Sequence, residues 1–255
     1  MNTAENSYLN LLSDVLTLGQ YRKPEGEEGR YELFSQMIRC DLSNNKIPLL
    51  TTKKVNFKAL AHEMLWFLSG SQDISYLKEN KVKIWDVWAN DKDEVGPLYG
   101  YQWRHWHVDP AAVNAYGGVN EIDQMAQVMQ SLRLRPARSH VVTAWRPDHL
   151  KLMSIKPCHV YLQFYRYNDE ISLHLTQRSC DLFLGVPFNL AQYSLLAHMV
   201  AHQLDCKAKE FVWHGVDTHI YENHVEQVKE QLSKPVFDAP KLKIIRKPPM
   251  PPQAC

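Results

Sequence analysis

The sequence Lys156-Pro157-Cys158-His159 contains the residue best suited to attack an electrophilic carbon. A thiolate is a strong nucleophile, and at neutral pH it forms where a neighbouring cation lowers the pKa of the thiol. Arg178, at the end of a predicted strand, is a candidate for that cation. The alternative is that Cys158 is a small buried side chain without reactivity.

The stretch from Gln177 to Asp181 offers donors suited to an anion. Arg178 has a guanidinium fork and Ser179 adds a hydroxyl, so that together they suit a phosphate. An arginine at a strand end also commonly forms a surface ion pair. Asn189 follows, and its amide has the donor and the acceptor needed to read a pyrimidine edge; the alternative is that it caps the next helix.

A carboxyl group and two polar side chains extend this chemistry. Glu63 lies within the apolar run Ala61–Leu68. An apolar wall raises the pKa of a carboxyl group and suits it to proton transfer, whereas on the far helix face Glu63 is simply exposed.

The sequence Asp217-Thr218-His219-Ile220-Tyr221 is predicted to open a helix. His219 and Tyr221 either donate to a sugar hydroxyl or are satisfied within the protein.

Aromatic residues are concentrated at 84–88 and 99–103. They favour either a stacking wall for a flat heterocycle or ordinary core.

A mixture of helices and strands must position these residues. We predict helices at 6–18, 56–69, 121–133, 190–204 and 219–232, and strands at 31–42, 140–145, 159–167 and 171–177. Residues 19–30 are predicted to form a polar loop, Ser71 to cap a second short helix, and 167–170 to turn the last two strands into a hairpin. Helix 190–204 is apolar on nearly every side, and Ile122 belongs to the apolar face of helix 121–133. Because the strands mostly lack alternation, we expect an α+β fold in one domain.

Composition narrows the class of protein. Lys and Arg total 29 and Asp and Glu 28, so the net charge of +1 provides no general basic surface for nucleic acid or an anionic membrane. No apolar run reaches the roughly 18 residues of a membrane span, and the N-terminus lacks the regions of a signal peptide. The five cysteines are widely spaced, which argues against zinc and favours a reducing cytosol. We therefore expect a cytoplasmic protein without a metal.

Several motifs occur in a fixed order. They are Pro48-Leu49-Leu50-Thr51-Thr52-Lys53, His62-Glu63-Met64-Leu65-Trp66-Phe67-Leu68, Ile84-Trp85-Asp86, Gly96-Pro97-Leu98-Tyr99-Gly100, Pro157-Cys158-His159, the stretch from Gln177 to Asn189, and Asp217-Thr218-His219-Ile220-Tyr221. In this order they resemble the thymidylate synthase family, from about residue 7 to residue 248. The resemblance implies a single-domain α+β fold, a mixed sheet packed by helices, over residues 1–248, with a short Pro-rich tail at 249–255.

The resemblance also implies roles. Cys158 would attack C6 of dUMP, Glu63 would manage proton transfers through water, and 5,10-methylenetetrahydrofolate would supply one carbon to C5. Tyr99 would order the site near Cys158, and Asn189 would read O4 and N3 of uracil. The implied catalytic residues are Cys158, Glu63, Tyr99, Asn189, Arg178 and Asp217; the implied dUMP-binding residues are Arg138, Arg178, Ser179, Gln177, Asn189, His219, Tyr221 and His159; the implied folate-binding residues are Lys53, Ile84, Trp85, Trp88, Asp181, Gly185 and Phe188.

The family forms homodimers with shared active sites, in which a pair of arginines reaches the partner's phosphate. Here that pair is Arg138-Ser139, so one arginine is lost, and Arg133 or Arg135 would compensate.

The loop from Lys23 to Arg30 also departs from the family, because it lacks an Arg-Thr-Gly pattern. Arg22 or Arg30 would substitute for the missing phosphate ligand.

The ending of the chain bears on the product. In the family a long C-terminal extension closes over folate and excludes water, whereas this chain ends Met250-Pro251-Pro252-Gln253-Ala254-Cys255. Water reaching the methylene group at C5 would give 5-hydroxymethyl-dUMP, as in the phage hydroxymethylase branch, whose members act in the host cytoplasm. That is the expected product. The alternative is dTMP, made by reductive methylation with release of dihydrofolate, with 249–255 as a shorter lid.

Two further discriminations concern the ligand. Related deoxycytidylate enzymes have Asp where this chain has Asn189, and an amide suits uracil better than cytosine.

A nucleotide- or RNA-binding protein without catalysis is the competing class. The retained Cys158 and Glu63 argue against it, and we expect no requirement for nucleic acid.

Overall fold

The longest strand lies inside a six-stranded mixed sheet. In a computed structural model of the chain, which describes residues 2–134 and 138–246, the strands are β1 (Gln20–Arg22), β2 (Arg30–Asp41), β3 (Trp106–His107), β4 (Glu121–Ile122), β5 (Val141–Thr143), β6 (His159–Tyr167), β7 (Glu170–Asp181) and β8 (Lys207–Tyr221). The helices are α1 (Thr3–Leu18), α2 (Phe57–Ser69), α3 (Ser75–Glu79), α4 (Gly100–Arg104), α5 (Gln124–Leu134), α6 (Gly185–Gln203) and α7 (Val225–Leu232). This mixture confirms the α+β fold, with one core cluster that draws on both helices and strands.

The sheet has the order β1-β2-β8-β7-β6-β5, and β3 pairs with β4 separately. All neighbours are antiparallel except β7 and β8, which are parallel because α6 carries the chain back across the sheet. Side chains of β7 alternate between buried and half-buried, so the expectation of a non-alternating strand is wrong there. Strand β8, which was not predicted, alternates in the same way over 211–216. Helix α6 packs against β7 and β8, and α1 packs against β2 and β8.

Helix α6 is buried on almost every side, as predicted. The turn that leads into α6 is held by Asp181, whose Oδ1 accepts hydrogen bonds from the backbone N–H groups of Phe183 (2.9 Å) and Leu184 (3.0 Å). Asn189 is the fifth residue of α6, and the N-cap position belongs to Leu184, so the alternative that Asn189 caps this helix is wrong.

Residues 217–221 do not open a helix, contrary to the prediction. They end β8, which pairs with β2 on one side and β7 on the other, and α7 begins only at Val225. The strand forms because both of its edges are paired up to its end, where the consecutive residues Thr218, His219 and Ile220 are all buried.

Three smaller predictions are also wrong. Gln20–Arg22, expected in a loop, pairs with β2 as an edge strand. Ser71 is not an N-cap, because its hydroxyl bonds to the backbone of Asp73 and α3 starts four residues later. Ile122 lies in β4, ahead of α5.

The other predicted elements are confirmed, and α2 starts after Asn56, whose side chain accepts the N–H of Ala59. No helix in the described part of the chain is both long and apolar enough to cross a membrane. Arg135 and the Pro-rich tail at 249–255 lie outside the described residues.

Candidate active site

Cys158 lies at the last position before β6, where a loop becomes a strand, as predicted. Its backbone N–H donates to the Tyr99 hydroxyl at 2.9 Å, and Nη2 of Arg178 lies 4.0 Å from its Sγ. Burial raises the pKa of the Cys158 thiol, and the charge of Arg178 opposes that rise. The geometry is therefore that of a thiol with its activating cation in place.

Arg178 holds the loop that carries Cys158. Its Nε donates to the carbonyl of Pro157 at 2.9 Å and its Nη2 to that of Lys156 at 2.8 Å. Among the described residues, Arg178 makes these bonds and the thiol contact instead of a surface ion pair with a carboxylate. Its positive charge is thus directed at the thiol and remains available to an anionic ligand.

Tyr99 has a left-handed backbone, with φ of 40°. A non-glycine residue in this region is strained, and such strain is concentrated at functional sites. The following residue, Gly100, is required because a Cβ there would lie 1.9 Å from the carbonyl oxygen of Phe67. This turn delivers the Tyr99 hydroxyl to the N–H of Cys158, and burial raises the pKa of Tyr99 so that the hydroxyl stays neutral.

Glu63 is buried and 8% exposed, so the alternative that it lies on an exposed helix face is wrong. Its Oε1 accepts from the indole N–H of Trp85 at 2.6 Å, and its Oε2 accepts from the amide of Gln192 at 2.7 Å. Burial raises the pKa of Glu63 to about 7, although both hydrogen bonds lower it. At neutral pH this carboxyl group can both give and take a proton.

A neutral polar group surrounds Asn189. Its Oδ1 accepts from the amide nitrogen of Gln177 at 3.1 Å. Nδ1 of His159 lies 2.9 Å from the hydroxyl of Tyr193, and the His159 ring lies 5.1 Å from that of Tyr99. Burial lowers the pKa of His159 to about 4, so its imidazole is uncharged at neutral pH. The group has the donors and acceptors to recognise an uncharged base.

The parallel ends of β7 and β8 bring four predicted site residues together. Ser179 is the register partner of Asp217, and Asp181 that of His219. The carboxylate of Asp217 lies 3.1 Å from Nδ1 of His219, and this bond lowers the pKa of Asp217. Tyr221 follows at the end of β8, with its ring 5.1 Å from that of His219.

The predicted folate ligands divide into two groups. Lys53 bonds to the carbonyl of Phe183 and lies 3.3 Å from the centre of its ring; burial lowers the pKa of Lys53 to about 8, against the charge of Asp181. Gly185 and Phe188 lie in the first turn of α6, next to this group.

The second group is apolar and consists of Ile84, Trp85 and Trp88. Ile84 and Trp88 are more than two-fifths exposed, whereas Trp85 is buried and faces Glu63. The exposed pair provides an apolar surface for a flat heterocycle. A cavity of about 650 Å³ opens beside Trp88, but its wall includes neither Cys158 nor Glu63.

The two arginines expected to replace the missing phosphate ligand of the 23–30 loop, Arg22 and Arg30, are already paired. Arg30 bonds to Glu27 at 2.7 Å and to Glu32 at 2.6 Å, and Arg22 bonds to Glu32 at 2.9 Å. Arg138 is exposed ahead of β5, and its contact with a partner's phosphate stays a prediction.

Three polar partners escape prediction from sequence. They are Gln192 and Tyr193, which bond to Glu63 and His159, and Trp213, which bonds to Gln177. A signal exists for Gln192, because a glutamine inside an otherwise apolar helix needs a buried partner.

Comparison with known proteins agrees with this geometry. The family model described as thymidylate synthase matches residues 6–250. The chain is 42% identical over 242 residues to "Thymidylate synthase" of Buchnera aphidicola subsp. Acyrthosiphon pisum (strain APS), covering 94% of this chain and 88% of that relative. The proteins of the same name from strains Tuc7 and 5A are each 41% identical over 242 residues. With the thiol, the buried carboxyl and the amide all inside the matched range, the chain belongs to the thymidylate synthase family.

Proposed function

We propose that the protein converts dUMP into dTMP by folate-dependent reductive methylation at C5. The observation that carries the proposal is that one chain contains both a thiol beside an arginine and a buried carboxyl group whose pKa is about 7. Support for the methyl product comes from the relatives, each of which is named thymidylate synthase. They favour dTMP over the 5-hydroxymethyl-dUMP expected from the Pro-rich ending, and they give no support to a phage hydroxymethylase branch.

Cys158 supplies the nucleophile. Its sulfur attacks C6 of the uracil ring, which forms an S–C bond and makes C5 an enolate-like nucleophile. Arg178 stabilises the thiolate form, since its guanidinium lies near Sγ. Tyr99 fixes the backbone of Cys158, so that the thiol is held in one position before substrate binds.

Glu63 handles protons near the reacting ring. Its two oxygens are oriented by Trp85 and Gln192, and each keeps a lone pair for water or substrate. Because its pKa is about 7, both protonation states are populated near neutral pH.

The remaining residues bind the two substrates. Asn189 reads the uracil edge, His219 and Tyr221 hold the 3′-hydroxyl, and Arg178 with Ser179 holds the phosphate. When bound, 5,10-methylenetetrahydrofolate supplies the one-carbon unit and the hydride that reduces it. The exposed side chains of Ile84 and Trp88 fit its flat ring system, and Asp181 and Lys53 offer an acceptor and a donor for its polar edge.

We also propose a homodimer formed through the sheet face opposite α6. Half-buried side chains cover this face, among them Gln163 and His174, and Tyr165 is 60% exposed. A second copy would bury them and bring Arg138 toward its phosphate. Sedimentation equilibrium should give twice the chain mass, and a monomer at micromolar concentration would contradict this part of the proposal.

The product is identified by incubating the protein with dUMP and 5,10-methylenetetrahydrofolate. We expect dTMP by mass spectrometry, with one dihydrofolate released per dTMP. A product heavier by one oxygen, with tetrahydrofolate as the released folate, would overturn the methylation proposal in favour of hydroxymethylation.

A covalent adduct tests the nucleophile separately. A 5-fluoro analogue of dUMP should form a folate-dependent adduct on Cys158, whereas Cys158→Ser should form none and keep its fold. Cys206→Ser, which removes a thiol outside the site, should form the adduct normally. Absence of both adduct and product in the unaltered protein would favour the non-catalytic nucleotide-binding class.

A further inference from the structure

A buried tryptophan determines how two amide side chains of the site are oriented. The indole N–H of Trp213 donates to Oε1 of Gln177 at 2.8 Å, and both side chains are almost completely buried. An indole N–H can only donate, so the Gln177 atom that faces it is an oxygen. The amide nitrogen of Gln177 must then point the other way.

That nitrogen has two acceptors. It donates to the backbone carbonyl of Ser179 at 3.0 Å and to Oδ1 of Asn189 at 3.1 Å. A carbonyl can only accept, so Ser179 and Trp213 require the same orientation of Gln177. Since both N–H groups of Gln177 are used, the Asn189 atom that faces Gln177 is the oxygen. The NH2 group of Asn189 is left to donate elsewhere.

The direction of this chain of hydrogen bonds matters for the choice of base. Uracil has an acceptor, O4, where cytosine has a donor, the N4 amino group. An Asn189 that offers its NH2 group suits O4 and opposes N4. Reversing the two amides would turn the oxygen of Asn189 outward and remove that preference.

The fold makes room for Trp213 next to Gln177. Gly215 is the register partner of Gln177 in the β7–β8 ladder, two residues after Trp213 on the same strand. A Cβ on Gly215 would lie 2.3 Å from Cη2 and 2.5 Å from Cζ2 of the Trp213 ring. Only glycine at this position lets the indole extend over the strand to Gln177.

We propose that Trp213 is a positioning residue for uracil selection, which acts through Gln177 on the amide of Asn189 without touching substrate. Gly215 supports it by leaving space for the ring. This inference rests on the proposed function and identifies the hydrogen bonds that set its preference for uracil.

The test measures the ratio of the dissociation constants of dCMP and dUMP by calorimetry, together with the ratio of kcat/KM wherever both nucleotides turn over. In Trp213→Phe we expect the preference for dUMP to fall about tenfold or more, because Oε1 of Gln177 loses its donor and only the carbonyl of Ser179 still favours the original orientation of the amides. Gly215→Ala should lower the same ratio by displacing the ring. Trp103→Phe shortens a different buried tryptophan and should lower stability with no change in the ratio.

A shape-preserving replacement separates the hydrogen bond from packing. Benzothienylalanine at position 213 keeps the bicyclic ring but has sulfur in place of N–H, so the fold is retained. A lowered ratio with this residue supports the inference, and an unchanged ratio overturns it. If the unaltered protein binds neither nucleotide, the proposed function fails instead, which distinguishes the two failures.

Discussion

The indole N–H of Trp85 donates a 2.6 Å hydrogen bond to the carboxyl group of Glu63, and both residues are buried. The bond joins α2 to the segment that contributes the exposed Ile84 and Trp88. A residue predicted to line the folate site thus also orients the proton-transfer group. A ligand that displaces Trp85 would therefore change the hydrogen bond that orients the carboxyl group of Glu63.

The raised pKa of Glu63 predicts a pH-dependent stability. Between pH 4.5, the usual pKa, and about 7, the folded state binds more protons at Glu63 than the unfolded state does. The free energy of unfolding therefore falls as pH rises through this window, by up to roughly 3 kcal/mol from this group. Glu63→Gln removes the titration, so the stability of the native protein relative to this variant should fall from pH 4.5 to pH 7.5.

Urea unfolding at a series of pH values measures this difference. Glu79→Gln removes an exposed carboxyl group of α3 and serves as the control, with a difference from the native protein that stays constant over the same range. A constant difference for Glu63→Gln as well would show that Glu63 does not titrate in this window.

Arg178 should control the reactivity of Cys158. Burial already raises the pKa of the Cys158 thiol, and Arg178→Gln removes the charge that opposes this rise, so the pKa should rise further. Alkylation of Cys158 by iodoacetamide at pH 7.5 should then be about tenfold slower, followed by mass spectrometry of the peptide. Arg39→Gln, which removes an exposed arginine paired with Glu210, should leave the rate unchanged. An equal rate in the two variants would exclude Arg178 as the activating cation.

Asn189→Asp should shift the choice of base toward dCMP. One oxygen of the aspartate can still accept from Gln177, and the other replaces the outward NH2 group with an acceptor. An acceptor suits the amino group of cytosine, so the ratio of kcat/KM for dUMP over dCMP should fall by at least tenfold, or about 1.4 kcal/mol. Competition between the two nucleotides measures it directly. If uracil is still preferred to the same degree, another residue reads the base.

Much of the fold is predictable because its signals are local. Helices α1 and α2 and the β6–β7 hairpin follow from apolar spacing and from the turn at Asn168, which has positive φ. Strand β8 escapes prediction for the opposite reason. Its last residues continue into the apolar spacing of α7, and only pairing with β2 and β7 decides that they are extended.

The same division holds for the site. Cys158, Glu63 and Asn189 are recognisable because each lies in a short motif of the sequence. Their partners come from distant parts of the chain: Gln192 is 129 residues from Glu63, and Trp213 is 36 residues from Gln177. Which donor meets which acceptor depends on side-chain geometry after folding, and no spacing in the sequence encodes it.

The hydroxyl of Tyr99 should be needed for both stability and reactivity. In Tyr99→Phe the N–H of Cys158 loses its acceptor, and a buried unpaired donor costs about 1–3 kcal/mol, measurable by urea unfolding. The loop also loses the contact that fixes the thiol, so adduct formation with the 5-fluoro nucleotide should slow. Tyr8→Phe is the matched control, because its buried hydroxyl donates to the carbonyl of Leu182 at 2.8 Å. It should lose similar stability but form the adduct at the native rate; similar slowing in both variants would mean that Tyr99 acts only through the stability of the fold.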